Sequence, residues 1–344
     1  MASNWTPFKE SAITDGARKV CDEMRANDEA TKDLFDDVEK LRAITPGPTL
    51  PCEYFDVQSR DPERMINCCI VRPSNGELTQ GIYLHFHGGG LSIGTHDMNI
   101  AYLQRLADAS GCTAISVGYR LGPEFPFPAP LQDCFDVADY IIDSCPTSLG
   151  GRLHFIGGEL AGGYLTMQVY LHIAGTRPQC DTIKGLLLSY GLYSWSYLPS
   201  VYTLRDPVCL DLYKMDKFRE RAFGMVEWSR LPSICEAFDP EFGTLAHKGP
   251  VHDHPLKHPV ASPLYRSIDR IAAHMPPALF LCGTADPLYE DTILMSARWQ
   301  IAGGDAVVEY VPGAPHAFVE VPIETSDCCA GGHDIIRRFI LSVK

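Results

Sequence analysis

No C-x-x-C pair occurs in this chain of 344 residues, although it holds 13 cysteines. Their number is odd, and the two closest pairs, Cys68-Cys69 and Cys328-Cys329, are adjacent in sequence. That pattern suits neither a zinc knuckle nor a disulfide framework, so reduced thiols in a cytoplasmic protein are expected. No apolar run approaches the roughly 18 residues that a membrane span needs. Met1-Ala2-Ser3-Asn4-Trp5 lacks the basic-then-apolar pattern of a secretory signal. Positive charge is in deficit: a net charge of −14 argues against nucleic acid or an anionic membrane as partner. His247, His252, His254 and His258 lie close together, but their spacing fits no tetrahedral ligand set, and no metal is expected there. Nucleotide and flavin motifs are also missing, so no cofactor is expected.

What remains is an ordinary soluble composition, 45% hydrophobic and 21% charged, in a chain long enough for one core with an insertion. Residues 8–45 carry Val20, Met24, Leu34, Phe35, Val38 and Leu41 at helical spacing among many charges, which predicts one or two amphipathic helices. Beyond Pro46 short apolar runs take over, at 81–86, 112–117, 154–157, 186–190, 278–282 and 306–311. Helical stretches at 100–109, 131–144 and 162–174 fall between them. This alternation predicts an α/β fold, a mostly parallel sheet with helices on both faces. The rhythm breaks over 195–258, where charge and aromatics replace the strand pattern. We expect a helical cap built from 195–258 and the N-terminal residues 1–54, over a core of 55–194 and 259–344.

Three segments carry chemistry. His87-Gly88-Gly89-Gly90 follows a strand, and consecutive glycines can turn N–H groups toward a developing oxyanion. His87 is expected to brace this loop without moving protons. Gly158-Glu159-Leu160-Ala161-Gly162-Gly163 reads as a strand entering a tight turn, the Gly-x-Ser-x-Gly elbow with leucine at its centre. Asp286 and His316 each follow a strand, in the order nucleophile, acid, histidine. Ser92, just past the glycines, is a poor substitute nucleophile and reads as a loop hydroxyl bonded to backbone; Cys282 reads as core.

The segment Tyr119-Arg120-Leu121-Gly122-Pro123-Glu124-Phe125-Pro126-Phe127-Pro128-Ala129 makes the pattern specific. With the glycine loop, the elbow, Ser262-Pro263-Leu264, Asp286-Pro287-Leu288 and Gly313-Ala314-Pro315-His316-Ala317-Phe318, it resembles the hormone-sensitive-lipase-like branch of the α/β-hydrolases. That branch includes plant carboxylesterases and bacterial type IV esterases, and the likeness spans roughly residues 78 to 344. The resemblance implies an α/β-hydrolase fold with a His316–Asp286 pair, and an oxyanion site at Gly88, Gly89, Gly90 and Ala161. It also puts Leu160 at the nucleophile position, where it is inert.

Leucine has no acidic proton, so an acyl-enzyme at residue 160 is excluded. Three explanations stay open. The retained base and oxyanion hole serve non-hydrolytic chemistry on an apolar organic compound, such as cyclisation, isomerisation or elimination in secondary-metabolite biosynthesis. Alternatively, an esterase has lost its serine by substitution. In the third, the chain is a small-molecule receptor like the gibberellin receptors, which resemble the family but lose the histidine kept here. Aromatics of the expected cap (Trp195, Tyr197, Tyr202, Tyr213, Phe218, Phe223, Trp228) suggest a greasy lid over an apolar substrate. A homodimer stays open.

Overall fold

Eight strands pair into a single sheet in the order β1-β2-β4-β3-β5-β6-β7-β8. This arrangement is seen in a computed structural model that describes residues 6–76, 78–144, 146–177, 181–224, 228–238, 254–268 and 275–344. Strands β3 (Ile82–Phe86), β4 (Thr113–Val117), β5 (Leu153–Glu159), β6 (Gly185–Ser189), β7 (Ala278–Ala285) and β8 (Ala306–Pro315) correspond to the six apolar runs and pair in parallel. Every residue of β3, β4 and β6 is buried, which explains why their sequences read as nearly unbroken apolar runs. Two further strands, β1 (Glu53–Gln58) and β2 (Met65–Val71), join antiparallel at one edge.

Registers Phe86↔Gly158 and Glu159↔Ser189 align the carboxyl ends of β3, β5 and β6, and Ala285↔Pro315 aligns those of β7 and β8. His87, Leu160, Asp286 and His316 therefore leave the sheet along one edge. Helices α3 (Ile100–Ser110), α4 (Ala129–Ser144), α5 (Ala161–Thr176), α9 (Tyr289–Ile301) and α10 (Asp327–Val343) connect or follow the strands. Helix α5 is buried on nearly every side, as its apolar sequence requires. It starts so close to β3 that a Cβ on Gly162 would stand 1.8 Å from the Phe86 carbonyl oxygen, so only glycine fits.

At the N-terminal end, α1 (Asp15–Thr31) and α2 (Val38–Ala43) flank a short 3₁₀ turn, Lys32–Asp36. Among the described residues of 195–258 there are helices and turns and no strand: α6 (Pro199–Thr203), α7 (Leu212–Phe223) and α8 (Leu231–Phe238). Helix α1 and the turn after it together grip α7. Lys214 pairs with Asp28 at 2.7 Å, Lys217 with Asp36 at 2.8 Å, and Tyr213 donates to Asp36 at 2.7 Å. Arg221 donates to the Phe35 carbonyl, and the Phe35 ring meets Phe218 edge-on at 5.6 Å. At the other end Thr14 caps α1 and also donates to Asp327 of α10 at 3.0 Å. Among the described residues no helix is long and apolar enough to cross a membrane.

Candidate active site

Strand β5 delivers the chain to Leu160 at φ 52° and ψ −108°, a region costly for a branched side chain. Such strain is on the order of 1–3 kcal/mol and persists only where surroundings over-determine it. Here the Leu160 N–H donates to the Ser189 carbonyl at 3.1 Å, while its own carbonyl accepts from Tyr164 at 3.1 Å. The elbow is thus held from β6 and from the first turn of α5. Its side chain is 8% exposed.

The neighbouring glycine loop is tightly turned. Gly89 has φ 101°, and a Cβ there would stand 2.1 Å from the Ile93 carbonyl oxygen. The N–H groups of Gly88, Gly89 and Gly90 make no hydrogen bond among the described residues. Ala161 opens α5, where no preceding turn takes up its N–H. His87 does brace the loop: its Nδ1–H donates to the Gly88 carbonyl at 2.7 Å, and its ring stacks on Tyr119 at 4.2 Å. Burial pushes its pKa down to about 3, so the ring is neutral. Arg42 of α2 adds a second brace, donating to the Ser92 and Gly122 carbonyls at 2.9 and 2.7 Å.

His316 and Asp286 meet as expected, with Nδ1 and Oδ2 at 2.8 Å and both side chains buried. Asp286 Oδ1 accepts from the Leu288 N–H at 2.8 Å, which fixes the carboxylate plane. Donation from Nδ1 leaves the Nε2 lone pair as the basic atom of the ring.

One group at the site was not anticipated. Glu320 lies four residues past His316, on a turn in which its N–H donates to the Ala317 carbonyl at 3.0 Å. Its carboxyl accepts from Tyr190 Oη at 3.2 Å and from Asn99 Nδ2 at 3.0 Å. A Cβ placed on Gly88 would stand 3.7 Å from Glu320 Oε1 and 3.8 Å from Leu160 Cβ, so the carboxyl flanks the glycine loop beside the elbow. Burial, reinforced by Glu159, pushes its pKa up to about 7. Tyr190 is itself unusual, at φ 39°, with its ring edge-on to His316 at 4.9 Å. Nothing in the local sequence marks Glu320, because its partners come from the residue just before α3 and from the loop after β6.

Several expectations need correction. Tyr202 and Tyr213 are exposed at 57% and 44% and do not line the cavity above Leu160; Trp195, Met215, Leu210 and Phe218 do. The side chain of Trp228 lies outside the described residues. That cavity is nearly full, with a free volume of about 10 Å³, about one water molecule by the same measure. Phe218 closes it, since a Cβ on Gly90 would stand 2.3 Å from its ring. The hydroxyl of Ser92 is not bonded to backbone: Oγ is buried without a partner among the described residues, and only its backbone groups are engaged. Burial raises the Cys282 thiol well above its ordinary value, consistent with core. His254 and His258 accept from the Leu256 and Val260 N–H groups at 3.2 Å, whereas His247 and His252 lie outside the described residues. No group of three or more potential metal ligands occurs among the described residues.

Comparison with known proteins agrees with this fold. An FAD-linked oxidoreductase, pytB, of Aspergillus terreus is 28% identical over 293 residues, 84% of this chain, which spans about a third (32%) of that relative's length. Human hormone-sensitive lipase is 36% identical over 105 residues, 30% of this chain and 10% of that protein. A thermostable esterase from Pseudomonas putida superposes with a TM-score of 0.74 at 16% identity, covering 98% of this chain and 99% of its own. Residues 83–320 match a family described as an alpha/beta hydrolase fold, and the chain therefore belongs to that family, on its hormone-sensitive-lipase-like branch.

Proposed function

We propose that this protein catalyses proton transfer on an apolar carbonyl compound, as a biosynthetic cyclase or isomerase of the α/β-hydrolase fold. The observation that carries the reading is the pairing of an inert Leu160 at a fully formed elbow with an intact His316–Asp286 pair at 2.8 Å. In this scheme Asp286 orients the imidazole, and Nε2 of His316 removes a proton from the carbon beside the substrate carbonyl. The C–H electron pair becomes a C=C bond and charge moves to oxygen, where the N–H groups of Gly88, Gly89, Gly90 and Ala161 hold it. Glu320, protonated in about half of the molecules at neutral pH, supplies the proton that neutralises this oxygen. The imidazolium then returns its proton to a different carbon, and Glu320 recovers its own as the enol collapses. Leu160 contributes an apolar wall that excludes a competing water.

Residues 1–54 and 195–258 act together as a cap in this reading, supported by the contacts of Asp28, Phe35 and Asp36 with α7. Phe218 and Met215 must swing away to admit substrate, because the cavity as it stands holds about one water. The expected partner is a small apolar molecule, the expected location the cytoplasm, and no cofactor is required. The test is His316→Ala, expected to lower the native turnover by roughly 10²–10⁴-fold while ligand affinity falls little. Unchanged turnover would mean that the cavity works by shape alone.

The second reading, an esterase that has lost its serine, is favoured by the retained φ of 52° at the elbow, a strain that serves a nucleophile. It predicts that Leu160→Ser restores ester hydrolysis in full. The protein as it is should give no burst of product with p-nitrophenyl butyrate under either reading, since a burst reports an acyl-enzyme.

A further inference from the structure

Beneath the elbow, on the face of the sheet that α3 covers, a chain of polar side chains crosses three strands. Ser116 of β4 stands across from His85 of β3, and its Oγ lies 2.9 Å from His85 Nδ1. His85 Nε2 lies 2.9 Å from Oε2 of Glu159, the last residue of β5. All three side chains are buried, and the chemistry proposed above uses none of them. Their hydrogen bonds fix where the charge sits. Ser116 Oγ has no other partner among the described residues, so its hydrogen points to Nδ1. The ring hydrogen is then on Nε2 and donates to Glu159, which favours the carboxylate form. A hydrogen on Glu159 Oε1 would be buried with no acceptor, since that oxygen has no partner among the described residues.

Glu320 is built for the opposite state. Asn99 Nδ2 donates to its Oε2, which makes Oε2 the carbonyl oxygen of a protonated carboxyl and leaves the hydrogen on Oε1. Tyr190 Oη, 3.2 Å from Oε1, accepts as readily as it donates. A Cβ on Gly88 would stand 3.3 Å from the Glu159 carbonyl oxygen and 3.7 Å from Glu320 Oε1, so the two residues meet under the glycine loop. Two buried carboxyls this close do not both ionise readily. The titratable groups that face Glu320 are Tyr102, Tyr119, Glu159, Tyr190, Cys209 and His316. Burial keeps the tyrosines and the thiol protonated, and Glu159 is the anion that acts on Glu320 most strongly.

We propose that Ser116 and His85 hold Glu159 as the charged member of this carboxyl pair, and that Glu159 thereby keeps the pair's proton on Oε1 of Glu320, beside the glycine loop. Ser116, His85 and Glu159 are positioning residues, acting on a reacting oxygen only through Glu320. The place of the proton follows from the hydrogen bonds, whereas its use on a substrate rests on the proton-transfer reading above.

Infrared difference spectra of the full chain, recorded as a function of pH, test the proposal. Protonated carboxyls absorb apart from carboxylates, and the band lost in Glu320→Gln identifies this residue. Its titration midpoint should lie at about pH 7 in the parent protein. Glu159→Gln keeps the side-chain volume and the bond from His85 but removes the charge, and should lower that midpoint by about one pH unit or more. His85→Leu should lower it likewise, because an unanchored Glu159 takes the proton itself, and His85→Gln, which restores an N–H donor, should bring it back toward the parent value. Glu159→Gln alone decides the matter where His85→Leu does not fold. An unchanged midpoint in Glu159→Gln, or one in His85→Gln no nearer the parent's than in His85→Leu, would overturn the proposal. Turnover is not the readout, so failure of the proton-transfer chemistry at Leu160 would leave these shifts in place.

Discussion

Leu160 concentrates the functional question in one side chain, and Leu160→Ser answers it. If the pocket has adapted around leucine, the serine variant shows weak or no hydrolysis of p-nitrophenyl butyrate, because a triad misplaced by about 1 Å loses about 10²-fold. Turnover of roughly 1–10³ s⁻¹ would instead select the esterase reading. Glu320 offers a separate test through stability. Its folded pKa of about 7 lies above the ordinary glutamate value of about 4.3, so its contribution is present below the unfolded value and is lost as pH rises through the folded one. Glu320→Gln removes that loss: urea midpoints of the two proteins should converge near pH 4, separate progressively between about pH 4 and 7 and stay apart above, with the variant the more resistant. Parallel curves would show that the carboxyl titrates alike in folded and unfolded chains. The two residues also differ in how readable they are. Leu160, Asp286 and His316 stand at fixed points of an ordered motif, each just past a strand, and sequence finds them. Glu320 depends on Tyr190 and Asn99, about 130 and 221 positions away, and no local pattern announces it.

Among the elements, the buried parallel strands were legible because burial on both faces leaves an apolar run. Strand β1 was not: Glu53, Tyr54, Asp56 and Gln58 are exposed, so it carries no such run. Strand β2 reads Met-Ile-Asn-Cys-Cys-Ile-Val, and an asparagine within it breaks the apolar stretch. Helix α7 was expected to bring aromatics over the site, yet its 3.6-residue period sends Tyr213 outward while Phe218 turns in. Phe218→Ala should therefore do two things. Removing a buried Phe costs about 3–5 kcal/mol, lowering the thermal midpoint. It also opens a cavity beside Gly90, so benzene should raise the variant's midpoint and leave the parent's unchanged. Equal responses to benzene would mean that the space above Leu160 does not widen when the ring is removed.

Across the whole molecule, protection from hydrogen exchange should follow the sheet. Strands β3, β4 and β6, buried at every residue, should exchange only through global unfolding, whereas amides of α6 and α8 should open at lower free energy. Helix α7 should sit between, because α1 holds it through Lys214 and the N-terminal turn through Lys217, and Lys214→Ala should speed its exchange without altering that of β4. Uniform protection of core and α6–α8 would contradict a separately opening cap. The clasp at Thr14 has a consequence for how the chain is made. Thr14 and its partner Asp327 are 313 positions apart, so at a ribosomal pace of about 5–20 residues per second the first helix waits roughly 15–60 s for its anchor. During that interval Ala17, Val20 and Cys21, all buried at the end, have nothing to cover them. The buried face of α1 thus stays open until the strand β8 and the helix α10 that cover it have been made.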